Sequence, residues 1–177
     1  PEVHQAAGTA PEDYYSFDHG EAHFAALFVP LLYGNYNLTN GSPQALWLEQ
    51  DLAASTKPWK FIFLHHPLFT SGTHRHNDYN RNGIPDYSEL AGVLLPIAKR
   101  HGVQMILSGH DHTYERFNPV QGVHCALTGG GGGWLYYLTE LAPESAQFWA
   151  RYNCIKFTVD SDSLALEALD DKGGVFD

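Results

Sequence analysis

An α/β fold whose C-terminal part is dominated by strands is predicted by three features of this sequence. Two short apolar runs, "FIFL" at 61–64 and "MIL" at 105–107, have the length and composition of fully buried strands. A longer segment with an apolar face precedes each of them, at 43–55 and 89–102. From residue 123 onward, short strand-like segments dominate. Helices alternating with buried strands are the signature of α/β architecture.

The elements follow in order. The first thirteen residues are small and polar and read as a loop. "YYSFDHGEAHFAALFV" predicts two short strands with a turn at His19-Gly20. "NYNLTNGS" is a loop with two glycosylation sequons, at Asn37 and Asn40, which matter only in a host that glycosylates secreted proteins. Ser42 before Pro43 marks a helix start, a capping hydroxyl followed by a residue whose missing N–H costs nothing there. Leu46, Trp47, Leu48 and Leu52 supply that helix's apolar face. "PWKFIFLHHP" is a buried strand ended by proline, and the polar stretch 70–88 is a long loop. "ELAGVLLPIAKRHG" predicts a helix closed by Gly102 and kinked or shortened at Pro96. "VQMILSGH" and "VHCALTGGGGG" are further strands, and "CIKFTVD" with "LALEALD" reads as a terminal hairpin turning at "SDS".

With 177 residues, 44% of them apolar, the chain has material for one domain or a large part of one. A formal charge of −10 argues against nucleic acid as the main partner, because phosphate backbones demand basic stripes. Small phosphate esters stay open, since a bound metal supplies local positive charge. No apolar run has the length of a membrane span, so no membrane partner is expected. There is no signal peptide, and the chain starts at Pro1 rather than methionine, which suggests a processed chain, a fragment or an expression product. Cys125 and Cys154 sit in apolar runs and read as buried thiols rather than a disulfide.

The chain has eleven histidines, and two of them stand out. His110 and His112, in "GHDHTYER", follow a buried strand and a glycine that lets the backbone bend. If the backbone stays extended, side chains two apart face one cavity at the strand's C-terminal end, where open α/β sheets bind ligands. Asp111 would point elsewhere and fix a histidine tautomer. His65 closes the strand "FIFL", and a parallel pairing with "QMILS" would bring it beside His110. Three converging imidazoles suit zinc, iron or manganese.

These pieces resemble the C-terminal half of a calcineurin-like metallophosphoesterase of the purple acid phosphatase type. "YYSFDHGEAHFAAL", "QALWLEQDLAAS", "PWKFIFLHHPLFTSGTHR", "GVQMILSGHDHTYER", "VHCALTGGGGG" and the closing "IKFTVDSDSLALEALDDKG" occur in the family's order and cover nearly the whole chain. The resemblance implies half of a four-layer α/β/β/α sandwich and a binuclear centre of iron, zinc or manganese that hydrolyses phosphate esters. It implies that His65 and His110 bind one metal and His112 the other. It puts His74, with His76 as the weaker candidate, near the phosphoryl group as hydrogen-bond donor or general acid. Tyr114, Glu115 and Arg116 would brace the site. The family's Gly-Asp and Gly-Asn-His motifs, which supply the bridging carboxylate and further ligands, are absent from this sequence. The expectation is therefore a chain that needs a missing N-terminal half as its partner. The absent carboxylate also supports an alternative, a non-catalytic homologue that binds calcium and at most one transition metal. A metallo-β-lactamase-like reading is set aside, because Thr113, Tyr114 and Glu115 follow His112 where that family requires Asp-His.

Within the insertion at 77–89, "DYNRNGIPDYSE" fits the pattern of an EF-hand-type calcium loop. Asp78, Asn80 and Asn82 would give side-chain oxygens, Ile84 a carbonyl, Asp86 the ninth-position ligand and Glu89 a bidentate carboxylate. Calcium here would order a loop beside His74 and fit an extracytoplasmic setting, secreted or periplasmic. The glycine run at 129–133 lacks the Lys-Ser/Thr of a phosphate-binding loop and reads as a tight turn.

Overall fold

The computed structural model describes residues 3–5, 13–29, 38–79 and 81–177. Asn37 and Asn80 lie outside the described residues. Among these, eight strands form one mixed sheet in the order β1-β2-β3-β4-β5-β7-β6-β8, and β9 and β10 form a separate hairpin. The strands of the site are β3 (Ala22–Leu27), β4 (Trp59–Leu64), β5 (Met105–Ser108) and β7 (His124–Thr128), paired in parallel. Antiparallel strands β1 (Val3–Gln5) and β2 (Tyr15–His19) extend one side; β6 (Tyr114–Phe117) and β8 (Ser145–Trp149) extend the other. β1 corrects the reading of the first thirteen residues as loop, since Val3, His4 and Gln5 pair with the otherwise open edge of β2.

Helices α1 (Pro43–Ala54) and α2 (Asp86–Arg100) contribute to the larger core, against Ala25, Ile62, Leu64, Ile106 and Leu127. Ser42 caps α1 by accepting from Ala45 N–H, with proline in the first turn. α2 runs through Pro96 rather than ending there. The flanking Leu94, Leu95, Ile97 and Ala98 are buried. The larger of these side chains gain about 1.5–3 kcal/mol each on burial, which outweighs the roughly 3 kcal/mol cost of an interior proline.

A second, smaller cluster of Ala22, Phe61 and Met105 is covered by Phe157, Leu164 and Leu166 of the hairpin β9 (Asn153–Val159) and β10 (Leu164–Asp170). Beyond the hairpin, an aromatic ladder crosses the strands: Phe17 stacks on Phe24 at 5.1 Å and Phe24 on Phe61 at 5.0 Å. Phe17, Phe24 and Phe63 are only half-buried. Cys125 is buried, and its thiol is pushed up to about 12 by burial; Cys154 is exposed, because it takes an outward position in the alternation of β9. Both are free thiols, and the expectation of two buried ones holds only for Cys125.

His23 on β3 ties β2 to α1. Its Nδ1 lies 2.7 Å from Asp18 and its Nε2 2.8 Å from Asp51, which also accepts from Ser16 Oγ at 2.6 Å. Burial opposes the imidazolium, but the two carboxylates outweigh it and raise the pKa above the ordinary 6.5. The folded state therefore binds this proton more tightly than the unfolded chain. The resulting stabilisation is fully present below 6.5 and fades as pH rises through the raised value. His23→Gln is expected to lose about 1–3 kcal/mol in urea melts under mildly acidic conditions, and less in alkali. Equal losses at both ends would refute the charged clamp.

Candidate metal centre

The parallel pairing of β4 with β5 places Phe63 opposite Leu107, so both strands end at the same edge. The chain bends just after each. Gly109 N–H donates to His65 carbonyl at 3.0 Å and locks the two turns together. Ligand atoms of His65, His66 and His110 come within 4.8 Å of one another, with His65 Nε2 at 3.1 Å from His110 Nδ1. His66 is absent from the sequence-based site. β4 stops at Leu64, so strand alternation no longer governs the His-His pair and both rings reach the same cluster. Pro67, which cannot continue a central strand, is the sequence signal that the strand stops ahead of it.

The extended backbone expected at 110–112 is not what forms. His110 takes a left-handed φ of 68°, and tight turns link Asp111 N–H to Gly109 carbonyl and Thr113 N–H to Asp111 carbonyl. The two imidazoles consequently have different neighbours. His110 joins His65 and His66, while His112 meets the Trp134 carbonyl at 2.7 Å and stacks on Tyr136. His112 remains close enough to depress the pKa of both His65 and His110.

The electrostatics favour neutral imidazoles. Burial, with repulsion from neighbouring histidines, holds His110 down to about 3, and burial with repulsion from His65 holds His66 down to about 4. His65 is lowered mainly by burial. A neutral imidazole has the free lone pair that a metal requires. His110 Nε2 and both ring nitrogens of His66 are buried with no hydrogen bond of ordinary geometry among the described residues. An unpaired buried polar atom costs about 1–3 kcal/mol, and an imidazole-loving cation removes that cost. The donor set fits a transition metal.

His74 stands beside this group, its ring centroid 4.1 Å from that of His110. Its Nδ1 is 2.6 Å from Asp111, a fully buried carboxylate that also accepts from Thr70 Oγ. Asp111 thus orients His74 rather than a member of the three-histidine cluster. Gly72 packs against the same carboxylate, where an added Cβ would lie 2.8 Å from Oδ2. Glu115, also fully buried, accepts from the N–H and hydroxyl of Ser71 and fixes the loop carrying His74; burial raises its pKa. Tyr114 and Arg116 instead hold the C-terminal Asp177, at 2.7 Å and 2.6 Å. His76 is exposed and pairs with Glu140 at 3.0 Å, away from the cluster.

The 78–89 loop adjoins the site. His66, His74, His110, Asn77 and Asp86 line one crevice. Asp78 accepts from Asn82 N–H at 3.1 Å and Gly83 N–H at 2.8 Å, and Gly83 has a φ of 84°. Asn82 Nδ2 donates to Glu89 at 2.7 Å, Ile84 is exposed, and Asp86 accepts from Tyr79 N–H at 3.2 Å. No helix of the described residues is long and apolar enough to cross a membrane.

A family model for calcineurin-like phosphoesterases matches residues 5–114. Purple acid phosphatase 4 of Arabidopsis thaliana is 30% identical over 104 residues, covering 58% of this chain and 28% of that protein. An acid phosphatase of Aspergillus ficuum is 30% identical over 146 residues, covering 60% and 22%. The purple acid phosphatase PPD1 of yellow lupin, Lupinus luteus, superposes with a TM-score of 0.78 at 21% identity, covering 97% of this chain and 33% of that one. The chain spans a third or less of the length of each of these relatives.

Proposed function

Because this chain belongs to the calcineurin-like phosphoesterase family, we propose that it supplies the histidine side of a binuclear metal centre that hydrolyses phosphate esters. The observation that carries this reading is the convergence of His65, His66 and His110 at the ends of two parallel strands, with buried nitrogens that have no hydrogen bond of ordinary geometry among the described residues. His65 and His110 would hold one metal, with His66 as a further donor, and His112 the other; iron, zinc and manganese all suit imidazole. Such metals supply Lewis acidity toward phosphoryl oxygens and acidify a water molecule at neutral pH. His74, oriented by Asp111, would hydrogen-bond a phosphoryl oxygen and carry the proton to the leaving oxygen. The bridging carboxylate and remaining ligands would come from protein outside these 177 residues, packed against the aromatic ladder left half-covered on the sheet.

Metal analysis by mass spectrometry, paired with p-nitrophenyl phosphate turnover, tests this reading. The 177-residue chain is expected to retain at most one transition metal and to turn over nothing. A longer protein with the residues that precede it in its relatives should hold two and be active. Two metals and turnover in the short chain would overturn the shared-site reading. An inactive long protein would favour the alternative, a non-catalytic homologue; that reading draws on the absence, among the described residues, of any carboxylate from the three-histidine group.

The same proposal includes calcium in the 78–89 loop, supported by the Asp78 and Asn82 hydrogen bonds and the sharp turn at Gly83. Such calcium would fit an extracytoplasmic protein. With millimolar calcium, the folded state should gain about 1–2 kcal/mol, a few degrees in Tm. Chelation should reverse the gain, and Asp78→Ala should abolish it. A Tm indifferent to calcium would remove the ion from the proposal.

A further inference from the structure

Two glycines of the 129–133 run differ in what surrounds them. Among the described residues, a Cβ at Gly131 would meet nothing within 4 Å, whereas a Cβ at Gly133 would lie 2.5 Å from Cε1 and 2.7 Å from Nδ1 of His112. Neither residue has a positive φ, so the difference is one of space alone. The bare backbone at Gly133 lies directly against the imidazole. The next residues complete the enclosure. The Trp134 carbonyl is 2.7 Å from His112 Nδ1, and Tyr136 N–H donates to the His112 carbonyl at 3.1 Å. The Tyr136 ring stacks on the imidazole, with centroids 4.4 Å apart and planes 12° apart.

A carbonyl oxygen only accepts, so Nδ1 must carry the proton. The lone pair of neutral His112 then sits on Nε2. We propose that residues 133–136 form a cradle that fixes the tautomer and orientation of His112, so that Nε2 is its metal-binding atom. Gly133 and Tyr136 are positioning residues that act through His112. Only the identity of what Nε2 binds rests on the phosphoesterase reading. The cradle gives His112, which stands outside the three-histidine cluster, a fixed direction, as hydrogen-bonded carbonyls do for ligating histidines elsewhere.

Long-range proton–nitrogen NMR of the longer protein, which carries the residues that precede this chain in its relatives, tests this, first metal-free and above the ordinary imidazole titration range, then with added zinc ion. His112 in the unaltered protein is expected as the Nδ1–H tautomer, with zinc shifting its Nε2 resonance. Gly133→Ala should mix the tautomers and weaken zinc binding at this site about ten- to a hundredfold. Gly131→Ala should match the unaltered protein in both. An Nε2–H tautomer in the unaltered protein overturns the proposal, as does Gly133→Ala with unchanged tautomer and affinity. The tautomer measurement needs no variant, so it decides the matter even if Gly133→Ala fails to fold. An Nδ1–H tautomer in a protein that takes up no zinc upholds the cradle and counts against the metal centre.

Discussion

Replacing His110 with glycine is expected to remove the metal site while leaving the metal-free protein as stable as before, or more stable. Two costs disappear with the side chain. A non-glycine residue at a φ of 68° is strained by about 1–2 kcal/mol, which glycine relieves. The buried Nε2, which has no hydrogen bond among the described residues, adds about 1–3 kcal/mol in the absence of metal. Lost packing of the ring offsets part of this, but the residue is half-buried at a sheet edge rather than enclosed in the core. Function moves the other way. His110 lies at the centre of the histidine group, beside His65, His66 and His74. Its loss should weaken transition-metal binding at least about a hundredfold. Turnover in the longer protein should fall by about 10³, equivalent to roughly 4 kcal/mol of transition-state stabilisation. Urea melts without metal, metal uptake and turnover check the three parts separately. A variant that keeps its metal would exclude His110 from the centre.

Asp111→Ala is expected to lower kcat about a hundredfold with little change in KM, because it frees His74 to rotate away without touching the cluster. It should also destabilise the fold by about 2–4 kcal/mol, since the Thr70 hydroxyl loses a buried acceptor and a void opens. Asp111→Asn separates the two effects. It keeps an oxygen for His74 Nδ1–H, so kcat should fall less. Gly72→Ala, which presses a Cβ toward Asp111 Oδ2, should reproduce part of the kcat loss with no change of charge. Steady-state kinetics on the four proteins would show this ordering; equal kcat in all of them would mean that Asp111 is only a packing residue.

The framework was legible because its signals are local. Buried runs at 61–64 and 105–107, with helices before them, leave little choice but parallel strands, and the parallel pairing brings His65 to His110. What could not be read depends on backbone geometry past a strand's end. Strand alternation would turn His66 to the face opposite His65, but the strand has already stopped. His110 and His112 looked alike in sequence; a left-handed turn at His110 gave them different surroundings. β6 was hidden by its composition, since Glu115 and Arg116 are polar yet occupied by Ser71 and Asp177. The partners of Tyr114 and Arg116 lie some sixty positions away, beyond any local pattern.

The backbone where the 78–89 loop begins and ends carries a consequence of its own. Asp86 N–H donates to the Asn77 carbonyl at 2.9 Å, so residues 78–85 leave and rejoin the fold at nearly one point, with Glu89 following on the first turn of α2. A closed excursion of this kind is modular. It can be gained, lost or exchanged in evolution with little disturbance of the strands on either side, because loop closure depends only weakly on length once the ends are pinned. Dependence on an ion could thus be acquired as a cassette, without redesign of the scaffold that holds the histidines. The same junction offers an engineer a place to graft a different sensor beside the site.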